Sequence, residues 1–338
     1  MKFVSFLNKN KEQRAGLLID NNIIDLSNGA KLINLNLATT MSELLKSWDN
    51  TLVVSKKVSE SYKDGKINSE NMSDIKLLAP VPNPTSCRDG YAFRQHVATA
   101  RRNRGVEMIP EFDSFPVFYF TNHNSIIGEG ELIVEEDHLQ NLDFELESAI
   151  VIGKNGKNIE AKDADKYIAG YTIMNDFSAR VLQMDEMKLN LGPAKGKDFA
   201  TAIGNYLITP DELENYKIET PEGNKYNLYM KAFHNGKQIS DGNMKDMNWT
   251  FAQLIERASY GVEVYAGDVI GSGTVGTGCY LELNGTANLE AKAKGESYTP
   301  VWLKEGDTIE LEIEALGKLK HKIIKAEGSK SILRKKKL

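Results

Sequence analysis

Asp143, Glu145 and Glu147 occupy alternate positions in Leu142-Asp143-Phe144-Glu145-Leu146-Glu147-Ser148-Ala149-Ile150-Val151-Ile152-Gly153. A strand repeats every two residues, so the segment reads as a strand, with 144–152 its clearest part, and the three acids fall on one face. The segment runs straight into Ala-Ile-Val-Ile, which belongs in a core. Carboxylates side by side on a buried strand repel one another and are costly to bury unless something neutralises them. One divalent cation would do so. A solvated edge strand with an acidic outer face would avoid the problem altogether, and this segment alone leaves the two readings level.

Two more acids have comparable settings. Asp176 ends the apolar run Tyr171-Thr172-Ile173-Met174-Asn175, just before a helical pattern, and Asp89 stands at an expected strand end in Cys87-Arg88-Asp89-Gly90 with His96 seven residues on. Asp89, Glu145, Glu147 and Asp176 offer oxygen ligands with no cysteine or histidine cluster. That donor set points to a hard ion. Mg²⁺ fits best, Ca²⁺ or Mn²⁺ also suit, and zinc is a poor match.

The motifs fall in a recognisable order: Asp89-x(6)-His96 in a Tyr91-x-x-Arg94-Gln95-His96 context, Asp143-x-Glu145-Leu146-Glu147, Met174-Asn175-Asp176-Phe177-Ser178-Ala179-Arg180-x-x-Gln183, and Gly196-Lys197-Asp198-Phe199-Ala200-Thr201. From about Pro80 to about Lys320 the chain resembles the fumarylacetoacetate hydrolase family. The resemblance implies that Asp89, Glu145, Glu147 and Asp176 hold the metal. It makes His96 a general base and Glu282, in Cys279-Tyr280-Leu281-Glu282-Leu283, the acid that orients it. A carboxylate fixes the imidazole tautomer and raises its basicity. Arg180, Gln183 and Lys197 match groups lining the family's oxyanion site, and Tyr91, Tyr119 and Thr274 match substrate contacts.

The activity implied is metal-dependent hydrolysis of a C–C bond in a β-diketo or acylpyruvate-type acid such as fumarylacetoacetate. Relatives with the same metal set isomerise or decarboxylate hydroxymuconate- or oxaloacetate-type acids. A silent member that keeps only the fold and metal is the third reading, and the intact ligand set with His96 speaks against it. The chain departs from the best-known hydrolases after Gly273-Thr274-Val275, where Gly276-Thr277-Gly278 replaces a longer proline-containing loop and shortens one wall of the pocket. The resemblance also implies a homodimer.

Each site residue has an ordinary alternative. His96 alone reads as a partly buried histidine, until Asp89 is counted with it. Arg180 has Asp185 and Glu186 at hand as surface ion-pair partners. Lys197 competes with Lys195, and only the following Asp-Phe selects it. Glu282 lies in a β-like run, where an exposed strand position is the default. His123, His138, His234 and His321 gather no partners at motif spacing and read as structural or exposed.

The elements that must position these residues are mainly strands, with helices too few and irregular for a doubly wound parallel sheet. The expected fold is mainly β (α+β): a mixed β-sandwich roll of the family's kind over 80–330, a small β-rich N-terminal domain over 1–79, and a basic tail over 331–338. Within the first, residues 16–26 read as a hairpin around Asp20-Asn21-Asn22, and 41–48 as a helix. Three alternating prolines (Pro80, Pro82, Pro84) mark the boundary. Beyond it, strands are expected over 116–120, 170–175, 226–234 and 308–315. Helices are expected over 163–167, 178–188 and 250–258, with a helical turn at 210–213.

The 338 residues suffice for a large core, with 41% hydrophobic and 26% charged residues. A net charge of −5, with no basic face carrying interleaved aromatics, gives no sign of a nucleic-acid partner. No apolar run is long enough to span a bilayer, and the apolar start is too short for a secretory signal. Cys87 and Cys279, far apart, imply no disulfide framework, so a cytoplasmic location is expected.

Overall fold

The structure is a computed structural model describing residues 1–335. Strands dominate and gather into a 13-stranded and a 5-stranded sheet with helices around them, a mixed α+β fold. At the centre of the larger sheet lies Leu146–Ile152, paired antiparallel with Ile168–Asp176 on one side and Val269–Gly271 on the other. Val269–Gly271 runs parallel to Cys87–Gly90, which pairs antiparallel with Phe118–Thr121. In this register Glu147, Asp89 and Asp176 come to one end of neighbouring strands, drawn from segments far apart in sequence.

Leu146–Ile152 is buried along its whole length because both faces are covered. On one face Leu146, Ile150 and Ile152 share a core with Met230, Ala232, Ile309 and Leu311 of the smaller sheet. On the other, Ala149 and Val151 pack with Leu44, Trp48, Val54 and Val58 of the N-terminal helices. Each fully buried aliphatic side chain of this kind contributes roughly 1.5–3 kcal/mol relative to exposure. In the smaller sheet, Thr308–Ile313 buries Ile309, Leu311 and Ile313 and keeps Glu310 and Glu312 half exposed, the alternation of a strand with one wet face.

The N-terminal hairpin forms from Gln13–Ile19 and Asn22–Asp25, with Asp20 left-handed at φ 52° in its turn. Lys2–Leu7 pairs with Gln13–Ile19, with Lys76–Leu78 and with Leu207–Ile208, so the hydrogen-bonded sheet runs past the proline segment.

Several expected elements are resolved differently. The helix at 41–48 is Met41–Leu45, followed by a longer helix, Trp48–Lys63. The helix at 178–188 starts only at Arg180, because Ser178–Ala179 first pairs with Leu142–Asp143. The strand at 226–234 breaks into Lys225–Tyr226 and Tyr229–His234. Residues 331–335 of the basic tail are docked: Asp137 accepts backbone N–H bonds from Ile332 and Leu333, and Arg334 pairs with Glu136 at 2.6 Å. The rest of the basic tail lies outside the described residues. Among the described residues no helix is long and apolar enough to cross a membrane.

Candidate active site

The strand expected over 144–152 is interrupted before Leu146, and the interruption separates the three alternating acids. Glu145 and Glu147 turn toward Asp89 and Asp176. These four buried carboxylates place one oxygen each within 4.8 Å of one another. Asp143 departs from the expected common face. It accepts from Arg180 Nε at 2.8 Å and from the backbone N–H groups of Phe144 (2.9 Å), Tyr280 (2.7 Å) and Leu281 (2.9 Å).

The four-carboxylate cluster is short of positive charge. Lys197 Nζ reaches Asp176 Oδ2 at 2.6 Å and also bonds Glu145. Arg180 NH2 lies 2.8 Å from Glu145. Burial disfavours the charge on Glu145, yet Lys197 and Arg180 hold its pKa down at about 2. At the opposite end of the cluster such help is outweighed. Burial, then the charge of Asp176, pushes Asp89 up to about 7, and burial, then Asp89, pushes Glu147 well above the carboxylate range. Asp176 is raised by burial as well, and its Oδ1 has no hydrogen-bond partner.

Gly271 lies against the cluster with no side chain of its own; a Cβ there would stand 2.5 Å from Asp89 Oδ1 and 3.0 Å from Glu147 Oε2. Orphaned oxygen, repelling carboxylates and an open cradle together fit a hard divalent cation. Tyr119 donates to Asp176, and Thr274 Oγ1 stands 3.4 Å from Glu147 Oε1, bracketing the cluster.

His96 lies in the helix Arg94–Asn103, and its Nδ1 is 2.8 Å from Glu282 Oε2, with both side chains buried. Glu282 does not lie on a strand. It sits in the first turn of the helix Tyr280–Ala293, because Asp143 takes the leading N–H groups and Glu282 Oε1 accepts from Thr277 N at 2.9 Å. The two helices approach closely over Gly285, where an added Cβ would meet Asn103 Nδ2 at 2.4 Å. Asn103 itself donates to the Glu282 carbonyl at 3.0 Å.

A cavity of about 790 Å³ opens onto Asp89, Glu145, His96, Arg180 and Lys197. Gln183, Tyr91, Tyr119 and Thr274 also line it; Glu147, Asp176 and Glu282 stand behind the wall. Arg180 is buried, with Asp143 and Glu145 as partners in place of a surface acid, and its NH1 donates to Gln183 Oε1 at 2.9 Å. Lys195 pairs outside with Asp198 at 2.8 Å, leaving Lys197 for the interior. The outer wall includes apolar side chains, among them Val117, Met184, Leu281 and Trp302.

Of the remaining histidines, His321 is sealed in and its Nε2 meets the Gly128 carbonyl at 3.0 Å. His234 bridges Tyr280 and Asp307. His138 stacks on Phe199 with ring centroids 4.1 Å apart. Sequence reasoning placed Asp143 only among the alternating acids and gave Cys279 no role; Asp143 joins Arg180 to the Glu282 helix, and Cys279 lies beside the His96–Glu282 pair. The first had a signal in its place two residues before Glu145. The second had none beyond its place three residues before Glu282.

The family model described as fumarylacetoacetate (FAA) hydrolase C-terminal matches residues 85–324. An oxaloacetate tautomerase of Bacillus subtilis (YisK) is 29% identical, covering 91% of this chain and 95% of that protein. Oxaloacetate tautomerase FAHD2A, mitochondrial, of Homo sapiens is also 29% identical, over 89% of this chain and 86% of its own length. A fumarylacetoacetate hydrolase domain-containing protein 2 homolog of Dictyostelium discoideum is 30% identical over 94% and 96%. Among solved structures, fumarylacetoacetate hydrolase from Exiguobacterium antarcticum superposes with a TM-score of 0.66 at 22% identity, covering 96% of this chain and 100% of that one. A 5-carboxymethyl-2-hydroxymuconate delta-isomerase from Mycobacterium smegmatis gives 0.64 at 19%, with the same coverage. At these identities the structures establish a shared fold.

Proposed function

Because the chain belongs to the fumarylacetoacetate hydrolase family, we propose that it is a metal-dependent enzyme moving a proton beside the carbonyl of a small 2-oxo acid, interconverting keto and enol forms of an oxaloacetate-type substrate. The observation carrying this reading is that the buried His96–Glu282 pair and the four-carboxylate cluster open on one cavity. The sequence motifs put hydrolysis first. The relatives named as oxaloacetate tautomerases move the weight to proton transfer.

Asp89, Glu145, Glu147 and Asp176 would hold the ion, with Mg²⁺ the best match to an all-oxygen donor set. Bound there, it supplies Lewis-acid polarisation of a carbonyl and a template for adjacent oxygens. Glu282 accepts the Nδ1 proton of His96, which leaves Nε2 as the base for a proton on the carbon next to the carbonyl. The same nitrogen returns the proton to oxygen or carbon as the tautomer requires. Arg180, with Gln183 beside it, and Lys197 bring positive charge to the wall where the enolate oxygen develops.

Hydrolysis of an acylpyruvate is the second reading. Its support is the size of the cavity, about 790 Å³, which is generous for a four-carbon diacid. In that reaction His96 would take its proton from water instead of carbon.

The two readings separate with Mg²⁺-loaded protein on oxaloacetate, acetylpyruvate and fumarylacetoacetate, following enol absorbance and identifying products by mass. Faster equilibration of oxaloacetate with its mass unchanged supports tautomerisation. Two shorter acids support hydrolysis, and carbon dioxide release indicates decarboxylation. No effect of the protein on any of the three would overturn the oxo-acid assignment.

A further inference from the structure

Behind the part of the cavity wall that His96 forms lies a second group of ligand atoms, chemically unlike the first. His96, Cys279 and Glu282 each place a ligand atom within 4.8 Å of the other two, and all three residues are buried. Cys279 and Glu282 stand three apart at the start of the helix Tyr280–Ala293, with Cys279 as its N-terminal flanking residue. His96 comes from the helix packed against it across Gly285. Nitrogen, sulfur and one oxygen make the donor set of a three-residue zinc site, and His96 connects it to the cavity. The carboxylate cluster offers oxygen alone, so the two groups select opposite classes of ion.

We propose that His96, Cys279 and Glu282 form an inhibitory site for a thiophilic divalent cation such as Zn²⁺, separate from the carboxylate site. Zinc bonds of about 2.0–2.3 Å to N, O and S require the three ligand atoms, now within 4.8 Å of one another, to rearrange around the ion, which replaces the direct His96–Glu282 hydrogen bond. Binding displaces the thiol proton of Cys279 to solvent and forms a thiolate–metal bond. If the ion takes Nδ1 of His96, the imidazole proton moves to Nε2. If it takes Nε2, the lone pair is occupied. In both cases His96 can no longer accept a proton from a substrate. Cys279 has no place in the proton transfer, so its loss spares catalysis and removes the inhibition.

Co²⁺ is the optical probe, added to full-length protein kept in excess Mg²⁺. The wild type should bind it with a thiolate-to-cobalt charge-transfer band in the near ultraviolet. Cys279→Ala should lack the band although Cys87 remains. Cys279→Ser, which keeps the size of the side chain, serves as the second variant, and thermal unfolding establishes that both are folded. Zn²⁺ should inhibit the Mg²⁺-loaded wild type, and its half-inhibitory concentration should rise at least about 100-fold in the variants, more than loss of an outer partner costs. No band in the wild type, an equal band in the variants, or inhibition relieved by excess Mg²⁺ and unchanged in the variants would each overturn the site. The band needs no substrate, so it decides this proposal even where the oxo-acid assignment fails.

Discussion

Asp143 and Arg180 form a buried pair, with Arg180 Nε donating to Asp143 Oδ2 at 2.8 Å and Nη2 of the same guanidinium 2.7 Å from that oxygen. The other oxygen of Asp143 accepts from the Tyr280 backbone, so one carboxylate fixes both a cation of the cavity wall and the helix carrying Glu282. Asp143→Asn leaves Arg180 with one fewer counter-charge and faces the Tyr280 and Leu281 N–H groups with a poorer acceptor. Breaking a buried pair in this way costs about 3–5 kcal/mol. Denaturant unfolding of the variant should show that loss, with turnover reduced as well. An unchanged midpoint would remove Asp143 from this role.

Glu147 tests the reading of the carboxylate cluster. Burial and Asp89 already push its carboxyl far up, so Glu147→Gln removes little that stabilises the metal-free protein. The same change removes a ligand. Mg²⁺ should therefore raise the unfolding temperature of the wild type, by the equivalent of about 2.7 kcal/mol at 100 times its dissociation constant. It should leave Glu147→Gln nearly unmoved. Equal Mg²⁺ stabilisation of the two proteins would show that the ion binds elsewhere.

Gly285 holds the two dyad helices together. Gly285→Ala puts a methyl group on Asn103 and pushes His96 away from Glu282. A displacement on the order of 1 Å between reacting groups can cost about 100-fold. Turnover number should fall far more than substrate affinity, and steady-state kinetics separates the two. A loss confined to affinity would contradict the positioning argument.

His321 predicts a pH dependence of stability remote from the site. Burial lowers its pKa to about 4, against an ordinary value of 6.5, and its Nδ1 has no partner. The unfolded chain therefore takes up the proton first as pH falls. Stability present above about 6.5 is lost progressively down to about 4, by roughly 3 kcal/mol. Denaturant unfolding between pH 7 and pH 4 should be less steep in pH for His321→Gln than for the wild type. Parallel profiles would show that other groups carry the acid sensitivity.

Much of the fold was legible because both of its signals are local. The apolar run from Ala149 to Ile152 and the alternation of Ile309, Leu311 and Ile313 are visible in sequence, as is the Asp20 turn. The helix Trp48–Lys63 was not, because its buried stripe seats Thr51 and Ser55 between Trp48, Val54 and Val58. A search for apolar periodicity alone passes over it. Glu282 read as part of a strand because Tyr280 favours one and Cys279-Tyr280-Leu281 is a short apolar run. The helix start depends on Asp143 accepting N–H groups from 137 and 138 positions away. Asp143 itself shared its alternation with Glu145 and Glu147 until the strand broke between them. Neither break nor cap is written in the local spacing; both come from the partners that tertiary packing supplies.

Proton exchange at the carbon beside the carbonyl of a 2-oxo acid, followed by NMR in deuterated water, tests the roles of His96 and the metal most directly. Oxaloacetate is the substrate, with wild type and His96→Asn compared with and without Mg²⁺. The wild type should accelerate exchange only with the ion present, and His96→Asn should lose on the order of 10²–10⁴-fold, the usual worth of a positioned acid–base group. Exchange that persists in His96→Asn, or that proceeds equally without the divalent ion, would contradict the assignment of base and metal to this cavity.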